Sequence, residues 1–319
     1  MKNFIKLQNA FPITLIVSIV FLVVFYLLSF FQIIQSPDSL NFIGEASRWC
    51  ERISPGPFRE PINTLTNLGF MVVGLYILYK ITNETSFNDF SGINKITVLY
   101  GVAVVYLGPG SMMMHGTNTE WGGWADNLSM VMYIVIPWLY NIYKMSDWTV
   151  NVFLKIYIAI VLIYALMRGL FGYGMGIGLD LFGVSIGLWV ISEFLYRFWS
   201  PKMRFISGFV GFLVLMIFGI FPIDVINNIG NYWWIILFWL PGLLSSKKPR
   251  GKRSYIWYFA GMIVYIAAWL IWLEGNLTIN PNSQFCNPDS LVQAHGIWHL
   301  LTATATLFFF YHYRSEKLT

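Results

Sequence analysis

Residues 293–310 read QAHGIWHLLTATATLFFF, an apolar run without a single charged residue that carries two imidazoles at its start. His295 and His299 are four apart, so on a helix both rings lie on one face about one turn from each other. Working outward, GPGSMMMHG (residues 108–116) closes an earlier apolar segment with His115 and places Ser111 one turn before it. WADNLSMVMYIVIPW (residues 124–138) opens the next segment with Asp126. The chain has only 4 histidines; three of them stand at the ends of apolar segments. Ionisable groups are costly inside a bilayer, which makes such a group a functional candidate by default.

The background that gives these residues their weight is strongly apolar. The chain has 319 residues, 57% hydrophobic and only 11% charged, with a mean hydropathy of +0.61. Soluble domains carry about 25% charged residues, so the composition predicts an all-α integral membrane protein. Its 14 Trp and 18 Tyr suit the aromatic belts at membrane interfaces. A pI near 9.1 reads as orientation charge and not as a nucleic-acid footprint, because Lys and Arg gather in short loops.

A spanning helix needs about 20 apolar residues. The candidates are 11–34, 61–80, 94–115, 123–143, 150–168, 174–197, 204–222, 231–245, 255–273 and 292–313. The run at 11–34 follows Lys2 and Lys6 as a signal peptide would, but its length and the lack of a small-x-small cleavage site predict a retained helix. The segment NYWWIILFWLPGLL (residues 231–244) is short, and charge placement supports counting it. With ten spans and a cytoplasmic N-terminus, all but four of the 20 Lys and Arg fall on the cytoplasmic side, the C-terminus included. The opposite side keeps Arg48, Arg52, Arg59 and Arg168, a positive-inside asymmetry that omission of the short span would break. The chain reads as one domain, 1–319, with SSKKPRGKRS (residues 245–254) as a cytoplasmic loop.

The ten-span order places His115, Asp126, His295 and His299 at one depth on the non-cytoplasmic side. It also puts Cys50 and Cys286, the only 2 cysteines, in loops on that side, where a disulfide between them is the expectation and two unpaired buried thiols the alternative. Three His ligands and an open fourth position define a catalytic zinc site. Asp126 would then carry a proton between water and leaving group, and Ser111 would support a developing oxyanion. The plainer readings are an Asp126 that caps its helix and a Ser111 that bonds back to a helix carbonyl. Met112, Met113 and Met114 read as packing, and His312 as an interfacial residue.

Two further stretches stand out. ASRWCERISPGPFREPINTLTNLGF (residues 46–70) brings Glu60, Asn63, Thr64 and Asn67 to one helix face, behind a loop with Trp49 and Glu51. Such an oxygen-rich cluster suits calcium or, more simply, a capped helix entry. GYGMGIGLDLFGVSIG (residues 172–187) has Gly174/Gly178 and Gly183/Gly187 at the spacing of close helix packing. Asp180 within it, and Glu193 beyond, are acids inside predicted spans.

Together these pieces resemble the alkaline ceramidases, within a superfamily of seven-helix membrane hydrolases that includes the progestin/adipoQ receptors and lipid-remodelling proteins of GPI anchors. The resemblance rests on Trp49-Cys50-Glu51, on Glu60-x2-Asn63-Thr64-x2-Asn67, on Ser111-x3-His115-x10-Asp126 and on His295-x3-His299, about a third of the chain. It implies a seven-helix core within 61–313, with the 11–34 helix added and further helices inserted. It implies zinc on His115, His295 and His299, catalytic roles for Asp126 and Ser111, the Cys50–Cys286 disulfide, and a membrane lipid substrate whose N-acyl bond is cleaved to fatty acid and sphingoid base. It also implies a calcium site with Trp49, Glu51 and Glu60, although Arg48 and Ile53 stand where that site has Asp and Asn. An ester-cleaving lipase of the same superfamily, a receptor with a structural metal, and a transporter using Asp180 and Glu193 are the competing readings.

Overall fold

The computed structural model describes residues 7–35 and 37–318; Lys2 and Lys6 lie outside them. The long helices in chain order are α1 (Ala10–Phe30), α2 (Pro61–Thr66), α3 (Leu68–Thr82), α4 (Lys95–Thr117), α5 (Glu120–Lys144), α6 (Val150–Phe171), α7 (Leu181–Arg197), α8 (Tyr255–Gly275) and α9 (Ala294–Arg314), with the short α2 continued by α3 through Asn67. Among the described residues five helical stretches are long and apolar enough to cross a membrane: α1, α2 with α3, α4, α6 and α8. The chain divides into two compact units, Met1–Ser129 with Arg253–Lys317, and Met130–Lys252 with the last two residues.

The first unit holds α1 to α4, the start of α5, and α8 and α9. Local chemistry sets its helix ends. The Asn94 side chain accepts from the Ile96 and Thr97 amides while Thr97 returns a bond, a capping box that starts α4. Asn118, at a left-handed φ of 50°, stops it. Glycine lets α3 and α4 touch: a Cβ at Gly74 would sit 2.5 Å from the Val105 backbone nitrogen. Gly110 does the same between α4 and α5, where a Cβ would meet Ser129 at 2.5 Å and the Ala125 carbonyl at 2.9 Å. Met112 is buried against Phe25 and Met71, as expected of a packing residue. His312, in the last turn of α9, is fully buried in the protein, its Nδ1 3.0 Å from the Ser254 carbonyl oxygen.

The loop before α2 is fastened to the loop before α9. Cys50 and Cys286 form the expected disulfide. Leu277 N donates to the Arg48 carbonyl at 2.8 Å and Arg52 N to the Pro288 carbonyl at 3.0 Å. The Arg52 guanidinium grips Asp289 with two bonds, 2.5 and 2.7 Å.

In the second unit several expectations change. The helix predicted over 174–197 begins at Leu181. Gly172, Gly174, Gly176 and Gly178 all have positive φ, conformations that break a helix and that glycine adopts freely, so Gly174 and Gly178 form a turn and not a packing stripe. Asp180 caps α7 by accepting from the Phe182 and Gly183 amides, and Gly187 abuts the Phe238 ring. Glu193 is buried and accepts from Asn141 Nδ2 at 2.9 Å. Both acids thus have protein partners. The predicted spans 204–222 and 231–245 are each interrupted. Pro201–Ile206 and Val210–Ile217 are joined by a tighter turn, Gly219 (φ 79°) ends that run, and Pro222–Asn227 follows. Trp233–Trp239 is wound as a 3-10 helix and leads into Leu240–Leu244.

Candidate metal centre

Three helices meet at the three histidines within the first unit. The C-terminal end of α4 brings Ser111 and His115, the first two turns of α9 bring His295 and His299, and α5 brings Asp126. One ring nitrogen from each histidine lies within 4.8 Å of the others, and all three rings are at most 5% exposed. His115 Nε2 and His295 Nε2 face each other at 3.1 Å. Two ligands on tetrahedral zinc, each about 2.0–2.1 Å from the ion, stand about 3.3 Å apart, so the spacing suits a shared cation.

The outer nitrogens say which tautomers are held. Glu60 Oε2 accepts from His115 Nδ1 at 2.7 Å, with both side chains almost fully buried. Asn63 Nδ2 donates to the same oxygen at 2.9 Å, and Glu60 N donates to the His115 carbonyl at 3.0 Å. Thr66 Oγ1 lies 3.1 Å from His299 Nδ1 while donating its own proton back to the Ile62 carbonyl. In both histidines Nδ1 therefore carries hydrogen and Nε2 keeps a free lone pair, the arrangement in which an imidazole binds metal through Nε2. The indole of Trp49 stacks on His295 at 4.2 Å between centroids, 22° from parallel. His295 Nδ1 has no hydrogen-bond partner among the described residues. Without metal, its Nε2–H can donate to His115 Nε2 across the 3.1 Å gap; with a cation bound, both Nε2 lone pairs can turn to it. A donor set of three imidazoles is one that zinc takes.

Asp126 and Ser111 adjoin this group. The Ser111 hydroxyl bonds the Asp126 carboxylate and lies 3.5 Å from His299 Nε2. Asp126 is half-buried in the second turn of α5, which starts at Glu120. Its carboxylate is thus too far along the helix to cap it, and the capping reading falls. The alternative for Ser111 falls too, since its hydroxyl turns to side chains.

Trp49, Glu51 and Glu60 are also close by, but engaged in ways that do not fit calcium. Glu51 accepts from the Ile62 and Asn63 amides at 2.6 and 2.8 Å, capping α2 from outside the helix. Burial holds the Glu51 carboxyl above the ordinary carboxylate range, against the pull of those two amides. Glu60 is spent on His115 and Asn63, Ile53 is buried and apolar, and the exposed Arg48 guanidinium adds positive charge 4.7 Å from the Trp49 ring centre. A hard dication needs several free oxygens, and this loop does not offer them. Sequence reasoning missed that Glu60 and Thr66 orient histidines and that Trp49 covers one. Glu60 was singled out for its oxygen chemistry alone, and nothing in the spacing pairs it with His115, 55 positions away.

No curated protein matches the chain. A family model described as Ceramidase matches residues 46–317. The match runs from the loop that carries Trp49 to the residues just past α9, leaves α1 outside, and takes in every group of the centre. On that match the chain belongs to the ceramidase family, a family of ceramide-hydrolysing enzymes.

Proposed function

We propose that the protein is an intramembrane zinc-dependent hydrolase that cleaves the N-acyl amide of ceramide or a related lipid. The observation that carries the reading is the convergence of one ring nitrogen from each of three buried histidines beside an Asp126–Ser111 pair. His115, His295 and His299 would hold the ion. When bound, zinc would supply a Lewis acid and lower the pKa of a coordinated water toward about 7. Asp126 takes the proton as water oxygen attacks the acyl carbon, then gives it to the nitrogen as the C–N bond breaks. The products are a fatty acid and a sphingoid amine. Ser111 donates its hydroxyl hydrogen to Asp126 and orients that carboxylate. Once Asp126 has taken the proton from water, the hydroxyl is free to donate to the acyl oxygen instead. Glu60 and Thr66 hold the tautomers that leave Nε2 free.

We further propose a ten-span, multi-pass arrangement with both termini cytoplasmic and the centre toward the non-cytoplasmic side. The asymmetry of Lys and Arg supports the count and the orientation, and the five apolar helices support the membrane location alone.

Metal analysis of purified protein beside fatty-acid release from labelled N-acyl lipids tests the function. The expectation is about one zinc per chain. His299→Ala should remove zinc and turnover together; Asp126→Asn should keep zinc and lose turnover. A fully active Asp126→Asn variant refutes the role given to that carboxylate. Release from matched esters but not amides would make the enzyme a lipase.

A further inference from the structure

Helix α1 bears on the residues next to the metal ligand His115. Phe25, buried on α1, stacks on Phe58 at 5.5 Å between ring centroids. A Cβ built on Gly116, the residue after His115, would stand 2.6 Å from Phe25 Cζ, so the ring rests against the last turn of α4. Just beyond α1 the chain turns at Gln32, whose φ of 58° is uncommon for a residue with a Cβ. Gln32 Oε1 accepts from Arg59 Nη2 at 2.8 Å, while Arg59 Nη1 donates to the Ser54 carbonyl at 3.0 Å. Arg59 is 1% exposed. Its backbone N–H donates to the Gly116 carbonyl at 3.1 Å, beside the bond from Glu60 N to the His115 carbonyl at 3.0 Å. Arg59 and Glu60 are thus tied by their backbones to Gly116 and His115, where Glu60 Oε2 reaches His115 Nδ1.

We infer that Gln32 and Arg59 are positioning residues for the metal centre. The end of α1 holds the guanidinium, and the guanidinium holds residues 54–60 so that Glu60 keeps its carboxylate on His115. This rests on the zinc-hydrolase reading and adds α1, which lies outside the family match, to its machinery. The need for a brace is local. Residues 53–60 form neither helix nor strand, and Pro55 and Pro57 have no N–H to donate. Side chains must therefore fix the segment. Bonds from an ionised donor are about twice as strong as neutral ones, which makes the buried guanidinium its firmest tie. Gln35 Nε2 adds a bond to the Pro57 carbonyl at 2.5 Å. Glu60 stands at the start of α2 without capping it through its side chain, so its carboxylate is free for His115. A 2.7 Å bond tolerates little drift of either partner.

The test measures zinc affinity of the full chain in detergent, by competition with a chromogenic chelator, beside thermal melts and fatty-acid release. Gln32→Ala removes the acceptor for Arg59 from an exposed position and should leave the protein folded. It should weaken zinc binding about three- to tenfold, less than the roughly 10- to 100-fold of a group that touches the ligand itself. Gln32→Glu supplies an ionised acceptor and should bind zinc as tightly as the parent. Arg59→Ala loses both guanidinium bonds and should weaken zinc binding at least as much as Gln32→Ala. Ile16→Ala, on the exposed side of α1, should leave zinc binding unchanged. In a Glu60→Ala background, Gln32→Ala should weaken zinc binding by less than about twofold more, because a residue that acts through Glu60 then has nothing left to position. Parent-like affinity in Gln32→Ala, the same loss in Gln32→Glu or Ile16→Ala, or an equal loss with and without Glu60 would overturn the brace. Weaker zinc binding in Gln32→Ala, with no lipid cleaved by the parent, would keep the brace and sink the hydrolase. Cleavage by the parent with unchanged zinc affinity in Gln32→Ala would do the reverse.

Discussion

Removing the charge of Glu60 isolates the contribution of the group behind the metal ligand. Glu60 Oε2 sits 2.7 Å from His115 Nδ1, and the two side chains are 4% and 2% exposed. Glu60→Gln keeps an acceptor oxygen in place but turns a charge-assisted bond into a neutral one, about half as strong. Substitutions behind a ligating histidine lower metal affinity by about 10- to 100-fold, equal to about 1.4–2.8 kcal/mol. Glu60→Ala should lie at or beyond the upper end, because His115 Nδ1 and Asn63 Nδ2 both lose their acceptor in a buried setting. The assay is zinc competition against a chromogenic chelator, with thermal melts to confirm that each variant is folded. If both folded variants bind zinc within about twofold of the parent, Glu60 does not tune the centre and the tautomer argument built on it fails.

Three other outcomes follow from the same contacts. Glu51→Ala strips the buried α2 entry of the acceptor for two amides; it should cost about 1–3 kcal/mol in unfolding experiments and loosen Asn63 beside Glu60. Gly110→Ala forces a Cβ to within 2.5 Å of Ser129; a loss of about 1–3 kcal/mol and a fall in turnover larger than any fall in zinc content are expected, since the Ser111–Asp126 pair shifts while the histidines do not. The hydrogen bonds from Arg52 hold the exposed Asp289 carboxylate below its ordinary range. The contribution of that pair is therefore complete above the ordinary carboxylate pKa and lost as pH falls through the depressed one. A carbon-13 titration of Asp289 in the parent and in Arg52→Gln should show the midpoint rising in the variant.

What the sequence discloses depends on contrast. His115, His295, His299 and Asp126 are legible because imidazoles and a carboxylate are rare against apolar helices, and because an i,i+4 pair needs no tertiary knowledge. The cysteine pair is legible because only two exist. Glu60 and Thr66 are not, for they sit among other polar residues and their partners come from remote helices. Glu51 reads as a cation ligand although its charge is turned to backbone amides, a geometry set by how the loop folds back on α2. Residues 172–180 look like helix by hydropathy; the succession of positive-φ glycines overrides that. Hydropathy likewise says nothing of how Pro201, Pro222, Pro241 and Gly219 divide residues 201–244 into short turns.

The disulfide has a consequence for proteolysis. Cys50 and Cys286 lie on opposite sides, in chain order, of the exposed Lys247, Lys248 and Arg250. A tryptic nick in that stretch would sever the peptide chain yet leave one covalent molecule, its pieces stapled through sulfur. Such a clipped protein would migrate as a single band until a reductant is added, and it would carry all three imidazoles through the cut.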